Sequence, residues 1–65
     1  MSKLDRIQQK IEEMRRDGTV SLTIEELKSV LLAFGVLEGW QRKAMTMALE
    51  ARGVVKLEGN ILVLR

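Results

Sequence analysis

The sequence predicts a small α+β domain in the order helix, strand, helix, helix, strand, strand: a three-helix core closed by a C-terminal β-hairpin. Three observations carry that prediction. Apolar residues recur at helical spacing in three stretches, each stretch is closed by a glycine, and the C-terminal residues form two β-rich runs around Gly59-Asn60.

The first helix begins where Ser2 can cap it with Asp5 at the third position, and Leu4, Ile7, Ile11 and Met14 mark its apolar stripe. Asp17-Gly18 stops it, because glycine can take the left-handed conformation beyond a last turn. The narrow stripe suits packing within the domain or a short coiled-coil seam. Residues 19–22, Thr-Val-Ser-Leu, alternate polar and apolar and are rich in β-branched residues, which fits one short strand.

Thr23-Ile24-Glu25-Glu26 is a capping box, in which the Thr23 hydroxyl meets the Glu26 amide and the Glu26 carboxylate reaches back. Leu22 and Leu27 flank it as a hydrophobic staple. The second helix then places Ile24, Leu27, Val30, Leu31 and Phe34 on one face, and Gly35 ends it. Residues 36–39 form a tight connection in which Val36 or Leu37 plugs the core. A third helix follows over residues 40–52, closed by Gly53. Residues 54–58 and 61–65 pair through the Gly59-Asn60 turn, which sets Glu58 against Ile61, Leu57 against Leu62, Lys56 against Val63 and Val55 against Leu64.

Composition removes several function classes. The 65 residues contain no Cys and no His, so thiol and imidazole chemistry and the usual zinc ligands are absent. Asp17, Glu25, Glu38 and Glu50 fall on separate elements, so no carboxylate pair is spaced for acid-base work, and neither an enzyme nor a bound cofactor or metal is expected. The first residues alternate in charge and no stretch is long and apolar enough to span a bilayer, which is the pattern of an intracellular, cytoplasmic protein. The formal charge of +2 is too small to imply nucleic acid by itself, so its distribution matters. Residues 40–56 carry Arg42, Lys43, Arg52 and Lys56 against Glu50, a local +3, whereas residues 19–39 carry Lys28 against Glu25, Glu26 and Glu38, a local −2.

The element order, with the run Ala48-Leu49-Glu50-Ala51-Arg52-Gly53-Val54-Val55, resembles the winged helix-turn-helix superfamily of small prokaryotic, archaeal and viral transcriptional regulators, in which that run ends a recognition helix and enters the wing. The resemblance covers the whole chain. It implies binding of double-stranded DNA, with the third helix in the major groove and the hairpin along the neighbouring backbone or minor groove. Some members bind RNA or proteins instead, so an RNA-binding domain and a protein-interaction module of a replication or transcription assembly stand beside the DNA reading.

A wheel at about 100° per residue groups Trp40, Ala44, Met47, Ala48 and Ala51 in one arc, with Met45 and Leu49 at its edge. That arc is assigned to the core, including Trp40 in preference to a base-stacking role. The opposite arc holds Arg42, Lys43, Thr46 and Glu50, with Gln41 on the flank. Arg42 suits the two acceptors of guanine, a contact worth about 1–3 kcal/mol of discrimination, and Gln41 suits adenine. Lys43 and Thr46 suit bases or phosphates, while Lys56 and Asn60 are the wing's contacts. Glu50 suits cytosine or lies beyond the groove, and Arg52 suits a phosphate or the helix C-terminus. In the hairpin, Val55, Leu57, Leu62 and Leu64 take the inner face. An outer patch of Val54, Ile61 and Val63 is left, and this patch, the first helix or both offer a homodimer surface.

Overall fold

The structure is a computed structural model that describes all 65 residues. It contains α1 (Lys3–Arg16), β1 (Ser21–Thr23), α2 (Ile24–Ala33), α3 (Gly39–Ala51), β2 (Val55–Glu58) and β3 (Ile61–Leu64). It is therefore an α+β domain of three helices and one three-stranded antiparallel sheet. No helix is long and apolar enough to cross a membrane.

Local capping fixes where the first two helices start. Ser2 Oγ accepts from the Asp5 amide at 3.1 Å and the Asp5 carboxylate accepts from the Ser2 amide at 3.2 Å. The same reciprocal pair opens α2, with Thr23 Oγ1 accepting from the Glu26 amide at 3.0 Å and Glu26 Oε1 from the Thr23 amide at 2.9 Å. Gly35, at φ +80°, then reverses the chain so that the Val36 amide donates to the Leu31 carbonyl. That turn drops Val36 into the core and leaves Leu37 67% exposed, so Val36 is the corner plug.

Packing uses the stripe of α1 in full. Ile7 and Ile11 are buried and Leu4 and Met14 pack against the core, so the stripe considered for a dimer seam is inside its own domain. From α2, Leu27 and Leu31 are buried and Phe34 packs at the margin. Ile24, expected on the same face, is about half exposed at the first position of α2.

The sheet order is β1-β3-β2, with β3 central. The hairpin register is the expected one, Val55 against Leu64, Lys56 against Val63, Leu57 against Leu62 and Glu58 against Ile61. At the turn only Gly59 has positive φ, at +64°, the pattern of a II′ turn with glycine at its first central position. On the far side Ser21, Leu22 and Thr23 pair with Val63, Leu62 and Ile61.

Two hairpin assignments change. Val54 is buried, not part of an outer patch, because it precedes the strand: its amide donates to the Leu49 carbonyl and its carbonyl accepts from Arg65. The helix-ending turn, with Gly53 at φ +73°, sets its direction in place of strand alternation. Leu57 is 46% exposed although its cross-strand partner Leu62 is buried. Leu62 lies on the central strand over the core, whereas Leu57 lies on the edge strand near the turn. Ile61 and Val63 do lie on the outer side, half-buried beside Ser21, Thr23, Lys56 and Glu58.

Candidate binding face of the third helix

The inner side of α3 is set by Leu49, which is fully buried, with Met45 one turn earlier packed against the core. Arg42 continues that row, half-buried, and its Nη1 donates to the Leu37 carbonyl at 2.6 Å and to the Val36 carbonyl at 3.3 Å. An arginine stem can cover apolar surface while its head stays polar, and here the head closes the turn between α2 and α3.

The arc assigned to the core is consequently the outward one. Trp40 is 71% exposed and Met47 60%, and Ala44 and Ala51 are exposed with them. Ala48 alone of that arc is half-buried. Leu49 and Met45, on the other side of the helix, take the place in the core instead. The turn through Gly53 and Val54 into β2 then holds Leu49 inward.

The six residues expected to meet DNA are divided by this rotation. Gln41 is half-buried and its Oε1 accepts from the Glu38 amide at 3.3 Å, helping to start the helix. Arg42 is tied to the α2–α3 turn, and Thr46 is half-buried with its hydroxyl donating to the Arg42 carbonyl at 2.9 Å. Lys43 is exposed and makes no ion pair. Lys56 lies on the outer side of the hairpin, 3.8 Å from Glu58, and Asn60 is exposed at the turn. Lys43 alone of the four α3 residues is thus both exposed and unengaged.

Beside α3 runs an open groove of about 330 Å³ between α2, α3 and the hairpin of β2 and β3. Ile24, Met47 and Leu57, all substantially exposed, form its lips, and Lys28, Arg42, Lys43 and Glu50 supply its charge. The exposed apolar side chains at the groove and on α3 escaped the sequence reading. The available signal was that α3 carries two apolar rows, Met45 with Leu49 and Trp40-Ala44-Met47-Ala51, of which a small domain buries one.

Arg52, the C-cap of α3, is engaged within the domain. Its Nη1 donates to Asp5 Oδ1 at 2.7 Å and to Gln8 Oε1 at 3.0 Å, tying the end of α3 to the start of α1. Hydrogen bonding from Arg52, then from the Ser2 amide and hydroxyl, holds the Asp5 carboxyl down at about 2, against an ordinary value of 3.8.

No protein-family model, no curated protein and no solved structure matches this chain. Its function is read from the arrangement above.

Proposed function

We propose that this chain is a protein-interaction domain of winged helix-turn-helix type, which offers the outward face of α3 to an α-helix of its partner. The observation that carries the reading is the exposed row Trp40, Ala44, Met47 and Ala51, flanked by the exposed Ile24 and Leu57. Contiguous exposed apolar surface of this kind on a small domain marks an interaction site. Tryptophan and methionine are enriched in the centres of such interfaces. In support of the fold type stand the element order, the short turn between α2 and α3, and a hairpin joined by β1 into one sheet. A major-groove reader instead needs forked and charged side chains aimed outward, and Gln41, Arg42 and Thr46 are engaged within the domain.

Duplex DNA is the second reading, favoured by one observation: three cations, Lys28, Arg42 and Lys43, line the groove against the single carboxylate of Glu50. In that arrangement Lys43, with Lys56 and Asn60 at the wing, would meet phosphates. Titration of random-sequence duplex DNA at two salt concentrations separates the readings, with a hairpin RNA as competitor. The protein-interaction reading predicts no steeply salt-dependent binding. Duplex binding that weakens strongly with salt, and is lost in Lys28→Ala/Lys43→Ala, would overturn it in favour of DNA.

A further inference from the structure

We propose that the occupant of the α3 face is α3 of a second copy, crossing it antiparallel about a two-fold axis. The inference rests on the protein-interaction reading and names its partner. Three features of the outward face support it, and each concerns exposed residues of α3.

The first is spacing. Trp40, Ala44, Met47 and Ala51 are separated by four, three and four residues, the alternation that keeps a seam on one side of a helix facing a second helix. All four are exposed.

The second is size. Two-fold symmetry makes every contact reciprocal, so a residue of one copy meets a different residue of the other and the reverse contact follows. In the antiparallel register that centres the row, Trp40 lies against Ala51 of the second copy and Met47 against Ala44. Every layer then sets a large side chain against a small one. A parallel arrangement would set Trp40 on Trp40 and alanine on alanine, leaving crowded and empty layers in turn.

The third is charge. Lys43 and Glu50 lie on the same flank of the row, seven residues apart, and both are exposed without an ion-pair partner in the chain. In the same antiparallel register Lys43 of one copy meets Glu50 of the other, twice per dimer. Parallel pairing would not bring these two residues together. Flanking charges of this kind select partner and direction more than they add affinity.

The contact is small. A standard interface takes about 800 Å² from each partner, close to a fifth of the 4300 Å² surface of this domain, and one three-turn helix with the lips of its groove covers less. The dimer is therefore of the weak, transient class, and forms as concentration rises through the micromolar range.

Sedimentation velocity over a concentration series, with Trp40 emission recorded on the same samples, tests the proposal on the full chain. The native chain should pass from monomer to dimer while the emission moves to the blue as the indole leaves water. Lys43→Glu and Glu50→Lys should each weaken dimerisation by about tenfold, since each reversal creates two like-charge contacts. The double variant Lys43→Glu/Glu50→Lys should return to the native constant. Both positions are exposed, and unchanged circular dichroism spectra check that the variants fold. A dimer indifferent to the single reversals, or one the double variant does not restore, overturns the α3 register. A native chain that stays monomeric with a water-exposed Trp40 overturns the second copy as occupant and leaves the protein-interaction reading standing. A Trp40 already shielded in the dilute monomer overturns both.

Discussion

Helices α1 and α3 carry almost the same pattern and use it in opposite ways. In α1 the row Leu4, Ile7, Ile11 and Met14 faces the core, and its two isoleucines are fully buried. In α3 the row Trp40, Ala44, Met47 and Ala51 faces solvent, and the core is served by Met45 and Leu49 from the other side. What differs is competition. Every other face of α1 is charged or amide-bearing, so only one orientation buries apolar surface. α3 has two apolar rows, and the one tethered toward the sheet, where the Val54 amide donates to the Leu49 carbonyl, is taken inside. A helical repeat establishes that a helix is amphipathic. It does not establish which row is inside when there are two.

The largest expected effects come from testing that contrast directly. Leu49→Ala and Ile11→Ala should each cost about 2–5 kcal/mol, because both side chains are fully enclosed. Met47→Ala should stay within about 0.5 kcal/mol at concentrations where the chain is monomeric. Urea denaturation of the three variants measures all of this, and a reversed order for Leu49 and Met47 would break the assignment of inner and outer rows. Next comes Arg42→Ala, expected to cost about 1–2 kcal/mol because two carbonyls in the α2–α3 turn lose a charged donor. Lys43→Ala, one residue on, should leave stability unchanged. Equal and negligible effects at the two positions would mean that Arg42 is free to contact a ligand.

The smallest effect concerns the tie between the two helices. Asp5 has a folded-state value of about 2, below its ordinary 3.8, so its ionised form favours the folded state. That contribution is complete above about pH 4 and fades as pH falls toward 2. Arg52→Ala should raise the Asp5 midpoint observed by NMR titration and flatten the stability profile in that window. High salt should reduce the native effect, since both side chains are about two-fifths exposed.

Much of the fold was legible in the chain because local backbone chemistry settles it. Ser2 with Asp5 and Thr23 with Glu26 are reciprocal caps within four residues, and the hairpin register follows once Gly59-Asn60 is taken as the turn. The departures lie where distant segments decide. Val54 is turned inward by the Leu49 carbonyl and Arg65, and Leu57 is left outside because β2 is an edge strand. The binding face is the clearest case. Lys43, Lys56 and Asn60 are exposed as a charged or polar surface position should be, but the engagement of Arg42 with the α2–α3 turn depends on the rotation of the whole helix.

That rotation is what the functional reading stands on, and Trp40 reports it without ambiguity because it is the only tryptophan. Acrylamide quenching of the folded native chain, at a dilution where it is monomeric, measures its exposure directly. An outward α3 row predicts red emission, quenched about as readily as a free tryptophan amide. A blue emission protected from quencher in the folded monomer would place Trp40 inside and contradict the outward face of α3.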